Sequence, residues 1–75
     1  LSGDAKSRVL YELTILSQRF GSPARDGVEV AVTAGKLAEM TGLTRETVSR
    51  TLQGLQQSGA VRLRRGIVTM VQTSF

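Results

Sequence analysis

The strongest constraint on this chain is what it lacks: 75 residues contain neither cysteine nor histidine. A domain of this size buries only about 60% of the surface its unfolded chain exposes. It has no disulfide to make up the difference, and the usual zinc ligands are missing. Helix packing must therefore hold a single small domain together. The same absences remove the Cys and His nucleophiles and the side chain that titrates near neutral pH. No nucleophile–base pair or metal set is visible in what remains, so a non-enzymatic role is expected. With 40% apolar and 21% charged residues, the composition is that of an ordinary globular domain. No apolar run approaches the roughly 18 residues of a spanning helix, and the amino end has no basic-then-apolar leader pattern. A cytoplasmic protein without a membrane partner is the expectation.

Charge is distributed unevenly. Residues 1–44 carry Lys6, Arg8, Arg19, Arg25 and Lys36 against Asp4, Glu12, Asp26, Glu29 and Glu39, and these balance. Residues 45–75 carry Arg45, Arg50, Arg62, Arg64 and Arg65 against Glu46 alone, so the whole net charge of +4 lies there. All five cations are arginines, the side chain suited to forked contacts with phosphate and guanine. A polyanionic partner is the functional reading; a solvated basic surface is the plain one.

Val9, Leu13, Leu16 and Phe20 recur at helical spacing, with Asp4 as a cap and Gly21 and Pro23 as a stop, which predicts a first helix over residues 5–20. Residues 21–27 read as a loop. Val28, Val30 and Val32 alternate with Glu29 and Ala31 as in a short strand. Thr33 can cap a second helix, Ala34 to about Thr41, that turns Leu37, Ala38 and Met40 inward. Gly42 can take the left-handed backbone that ends it, Leu43 is an apolar plug, and Thr44 is placed to cap a third helix from Arg45 to about Ser58, stopped by Gly59. Val61 and Leu63 then alternate with Arg62 and Arg64, Arg65 and Gly66 interrupt, and Ile67–Val71 follow, which describes a hairpin with a basic tip. Tyr11 is expected half-buried with its hydroxyl in water.

Two short helices joined by a glycine turn and followed by a basic hairpin describe an α+β, mainly helical fold: a winged helix-turn-helix with a three-helix core and a C-terminal β-hairpin wing. On the third helix, Val48, Leu52 and Leu55 fall on one side. Glu46, Ser49, Arg50 and Gln53 fall on the other, with Arg45 at its edge. Arg can grip guanine with two hydrogen bonds and Glu can accept from the paired cytosine, so Glu46 and Arg50, one turn apart, can read one G·C pair. The plain alternative for Glu46 is a first-turn acid that favours the helix dipole and pairs with Arg50. Arg62, Arg64 and Arg65 are expected on phosphates, Arg64 and Arg65 without a neighbouring acid. Thr44, a cap, can also hold a phosphate at the helix start.

Residues 33–50, TAGKLAEMTGLTRETVSR, followed by TLQGLQQSGAV and a wing, resemble the DNA-binding domain of the Crp/Fnr regulators. The likeness is close over residues 33–71 and looser over the first helix. A bare helix-turn-helix is shared by many families, but LTRETVSR in register with LAEMTG is much more specific.

The resemblance implies a bacterial transcription factor that binds double-stranded DNA as a homodimer on an inverted repeat. In the Crp-like pattern the base readers are Arg45, Glu46 and Arg50; in the Fnr-like pattern they are Glu46, Ser49 and Arg50. This chain satisfies both, so a half-site with a central GA step is implied, as in TGTGA or TTGAT. Thr44 and Thr47 match positions that resemble phosphate contacts, and Thr33 is placed with them. Family members carry an effector-binding β-barrel and a dimerisation helix ahead of this domain. Residues 1–75 are thus expected to be an excised carboxyl-terminal fragment with no cofactor of its own. Residues 21–27 resemble the place where some relatives touch RNA polymerase, although Ser22, Pro23 and Asp26 are ordinary loop residues. The other readings are a GntR-like winged-helix regulator and a winged helix used only as a protein-interaction module.

Overall fold

Asp4 starts the first helix: its backbone is extended, and its carboxylate accepts a 2.7 Å hydrogen bond from the Ser7 amide, one of the donors a helix start leaves without a partner. In the computed structural model, which describes residues 4–72, that helix is α1 (Ala5–Phe20). It is followed by strands β1 (Ser22–Ala24) and β2 (Gly27–Ala31), helices α2 (Ala34–Thr41) and α3 (Arg45–Gln57), and strands β3 (Val61–Arg64) and β4 (Ile67–Val71). Thr33 and Thr44 cap α2 and α3, each accepting a 3.1 Å bond from the amide three residues on. Gly42, at φ 76°, ends α2 in the left-handed region that a residue with a Cβ resists. The three helices match the expected bounds, except that α3 ends at Gln57 with Ser58 as its cap.

The strands form one antiparallel sheet in the order β1-β2-β4-β3. Its register puts Val28, Val30, Val61, Leu63, Val68 and Met70 on one face and Glu29, Arg62, Arg64, Ile67 and Thr69 on the other. The helices cover the first face. Val9 and Leu13 of α1, Leu37 of α2, and Val48, Leu52 and Leu55 of α3 close over Val30, Val61 and Val68 in a single core, with Val32 beside them. None of the helices among the described residues is long and apolar enough to cross a membrane.

Four expectations change. The segment read as a loop, residues 21–27, contains β1, which pairs Ser22 with Glu29, Pro23 with Val28 and Ala24 with Gly27. β1 is an edge strand, where a residue without an amide hydrogen is tolerated, so Pro23 does not prevent pairing. Phe20 is 69% exposed, because α1 carries its last residue past the core. Met40 is 37% exposed rather than turned inward: α2 buries only Leu37, and Met40 sits at the rim of that short helix. Tyr11 is 65% exposed, since it lies about 200° around α1 from both Val9 and Leu13.

Asp26 is not an ordinary loop residue. It sits in the β1–β2 turn and accepts a two-pronged ion pair from Arg62 of β3, Nη2 to Oδ1 at 2.6 Å and Nε to Oδ2 at 3.0 Å. Arg64 donates to Glu29 of β2 at 3.2 Å. The Asp26 backbone carbonyl also accepts from the Gln72 amide at 2.8 Å, so turn and sheet are joined twice. The forked bond from Arg62 holds the Asp26 carboxyl below its ordinary value.

Three consequences can be measured by thermal melts. Gly54 lies inside α3, and a Cβ there would meet nothing within 4 Å, so Gly54→Ala should stabilise the fold by about 0.5–1 kcal/mol and raise the midpoint by roughly 2–8 °C. Gly27→Ala should do the opposite, because its Cβ would run into the Met70 carbonyl oxygen across the β2–β4 ladder. Because the Asp26 carboxyl is depressed in the folded state, its contribution is fully present above its unfolded pKa of about 3.9 and is lost as pH falls through the lower folded value. Asp26→Asn should therefore be less stable than the parent from pH 5 to 7, with the gap closing as acid is added below about pH 4.

Candidate nucleic-acid interface

The candidate surface is drawn from three short segments: the start of α3 (Arg45), the start of α2 (Ala34) and the tip of the β3–β4 hairpin (Arg65–Gly66). Burial of Val48, Leu52 and Leu55 fixes the rotation of α3 about its axis. Arg45, Glu46, Ser49, Arg50 and Gln53 are consequently all exposed on the side away from the core. The four base readers named from the sequence are thus brought together on one solvent-facing surface.

The ion pairs among the described residues are Lys36–Glu39, Arg62–Asp26 and Arg64–Glu29. Glu46 and Arg50, one turn apart, do not pair with each other, nor does Arg45 find a carboxylate. A partner can therefore engage these three side chains without first breaking an internal salt bridge. Glu46 still occupies the first turn of α3, where a negative charge is favoured by the helix dipole.

At the head of α3, the Thr44 hydroxyl accepts from the Thr47 amide and donates to the Thr47 hydroxyl oxygen at 2.9 Å. Thr51 then donates to the Thr47 carbonyl at 2.8 Å. Thr44 is exposed and Thr47 half-buried, so the cap lies at the surface. The turn before it is held from two sides: the Leu43 amide donates to the Thr41 hydroxyl at 3.3 Å, and Arg8 of α1 donates to the Thr41 carbonyl at 3.4 Å.

The hairpin tip is joined to the start of α2 through backbone. The Val32 amide donates to the Gly66 carbonyl at 3.0 Å, which sets the Arg65–Gly66 tip beside Thr33, the exposed cap of α2. Gly66 takes φ 71° there. A second tie runs from α3 to the wing, since the Leu63 amide on the outer edge of β3 donates to Oε1 of Gln56 at 2.9 Å. Nothing in the sequence marks Gln56 for this role, because the contact depends on how α3 lies against the edge strand.

The wing arginines separate into two groups. Arg65 is exposed at the tip with no carboxylate partner among the described residues, as expected. Arg62 and Arg64 lie on the sheet face turned away from the helices and are ion-paired, so the expectation that Arg64 lacks a neighbouring acid is overturned by Glu29. Both pairs join residues more than thirty positions apart, brought together only by the β2–β4–β3 register.

The described residues contain no group of three or more acidic side chains placed to hold a metal ion. The arrangement instead offers arginine forks, one carboxylate, hydroxyls and helix-start amides around an exposed helix. That is a chemistry for recognising base edges and phosphates.

Comparison with known proteins agrees with this geometry. Residues 7–73 match the model of the Crp-like helix-turn-helix domain. No curated protein sequence matches the chain. Among solved structures, the chain is similar to a CRP/FNR-family transcriptional regulator of Thermus thermophilus, with 26% identity and a TM-score of 0.86 over 92% of this chain and 36% of that one. It is also similar to the c-di-GMP responsive global regulator CLP of Xanthomonas campestris, at 29% identity and TM-score 0.84, covering 95% of this chain and 35% of that one. The catabolite activator protein of Thermus thermophilus is 37% identical with a TM-score of 0.72, over 88% of this chain and 29% of that one. The chain thus spans about a third of the length of the structures it matches. It belongs to the Crp-like helix-turn-helix family, the winged domain type of the Crp/Fnr transcription regulators.

Proposed function

We propose that this domain binds double-stranded DNA sequence-specifically, with α3 in the major groove. The observation that carries this reading is the exposed face of α3, on which Arg45, Glu46, Ser49 and Arg50 have no ion pair among the described residues while Val48, Leu52 and Leu55 anchor the opposite side. Arg50 would donate its fork to guanine O6 and N7, and Glu46 would accept from the cytosine of the same pair. Arg45 and Ser49 would contact neighbouring bases, which fits a half-site with a central GA step of either the TGTGA or the TTGAT kind. Thr33, Thr44, Thr47 and Arg65 would hold phosphates on either side, fixing register without reading sequence.

Two such domains in a longer regulator would read an inverted repeat, each half-site adding affinity through effective concentration. Selecting bound sites from a random duplex pool, with the domain fused to a dimerising coiled coil, should return inverted repeats with a shared G·C pair in each half. Failure to bind any duplex at low salt would overturn the reading in favour of a protein-interaction module.

Arg50→Ala should weaken binding to the selected site by about 1–3 kcal/mol and weaken binding to scrambled duplex less, because only the former uses the guanine fork. Arg50→Lys should also lose discrimination, since one ammonium cannot reproduce the planar fork. The thermal midpoint should barely move for Ala, an exposed substitution by a good helix former. Each variant is measured against the selected site and against the same site with that G·C pair inverted; an Arg50→Ala domain that kept its preference would refute the assignment.

A further inference from the structure

Five arginines lie in residues 45–75, yet only three of them are without a carboxylate partner among the described residues. Arg62 and Arg64 leave the edge strand β3 on the outer face of the sheet, cross β4 and end on Asp26 and Glu29 of the β1–β2 hairpin. The first contact is forked, at 2.6 and 3.0 Å, and the second is single, at 3.2 Å. Thr69, the register partner of both Glu29 and Arg62, is only 1% exposed although it lies on that outer face. Two cations and two anions leave this face neutral. The remaining cations of residues 45–75 are Arg45 and Arg50 on α3 and Arg65 at the wing tip.

We propose that Asp26 and Glu29 are specificity-determining residues, which withdraw Arg62 and Arg64 from phosphates so that binding depends on the base-reading face of α3. The proposal rests on the DNA-binding reading above. Phosphate contacts are blind to sequence, and each one steepens the dependence of affinity on salt by about 0.9 logarithmic units. A wing with three free arginines would therefore strengthen binding to every duplex alike and dilute the discrimination supplied by Arg50 and Glu46. The arginine side chains remain about half exposed, so once the carboxylates are removed each is left open to solvent and to a phosphate. The same forked bond holds the Asp26 carboxyl below its ordinary value, which favours the charged, paired form.

The test compares the parent with Asp26→Asn, Glu29→Gln and the double variant, using a mixed-sequence duplex at a series of salt concentrations. The double variant should bind the duplex more tightly at low salt, with a slope steeper by about 1.8, so that its advantage shrinks roughly tenfold between 50 and 200 mM salt. Each single variant leaves the other pair intact and should show about half that change, which keeps the proposal testable if the double variant melts early. The ratio of affinity for the selected site to affinity for the mixed duplex should fall in the same order. Adding Arg62→Gln and Arg64→Gln to the double variant should return the slope to the parent value. An unchanged slope in the carboxylate variants, or a gain that survives removal of both arginines, would overturn the proposal while leaving DNA binding intact. Absence of duplex binding in parent and variants alike would overturn both.

Discussion

Val48, Leu52 and Leu55 lie in the same core as Val9, Leu13, Leu37 and the inner valines of the sheet, and what α3 can present to a partner follows from that burial. A buried aliphatic side chain of this kind stabilises by about 1.5–3 kcal/mol, so turning α3 to expose any of the three would consume much of a small domain's stability. The helix is therefore locked in rotation. Its exposed arc, from Arg45 through Glu46 and Ser49 to Arg50 and Gln53, is the complement of its buried one. The caps extend the constraint along the axis. Thr44 sets where α3 begins, and Gly42 allows α2 to end two residues earlier, so Glu46 lies in the first turn of α3, where it is exposed.

The same core fixes the wing. The β3–β4 hairpin is not a free arm, because β4 lies between β2 and β3 in a four-stranded sheet. Its tip is tied to the start of α2 by the Val32–Gly66 bond, and its outer edge to α3 by Gln56. Arg65 is thus held at a set place relative to Thr33 and the head of α3. Arrangement of phosphate contacts around a base-reading helix requires this kind of rigidity, since register on the duplex is set by the backbone contacts. On the opposite face, Asp26 and Glu29 neutralise the two other wing arginines, so positive charge is concentrated where α3 and the tip are.

The helices were legible in the sequence because their limits are local. Asp4, Thr33 and Thr44 bond to amides three residues away, and Gly42 acts through its own backbone. The face of α3 was equally legible from the spacing of Val48, Leu52 and Leu55. What was hidden depended on distant partners. Ser22–Ala24 has no apolar alternation and contains Pro23; it is a strand only because β2 offers it a ladder. Phe20 has the spacing of a core residue but lies beyond the end of the core. The pairing of Arg62 and Arg64 with Asp26 and Glu29 spans β2, β4 and β3, and no window of the sequence contains both partners. The Glu46–Arg50 pair that the spacing allows, the plain alternative for Glu46, is by contrast local and does not form among the described residues, which leaves both groups open to a ligand.

Mapping the backbone amide chemical shifts of the domain as duplex DNA is added tests directly whether this face of α3 is the one that binds. The expected result is a set of changes concentrated at residues 44–53, at Thr33 and the first turn of α2, and at Arg65 and Gly66, with the amides of α1 around Tyr11 unchanged. A duplex that bound while residues 44–53 stayed silent, with the changes falling instead on α1 or on the outer face of the sheet, would contradict the placement of α3 in the groove.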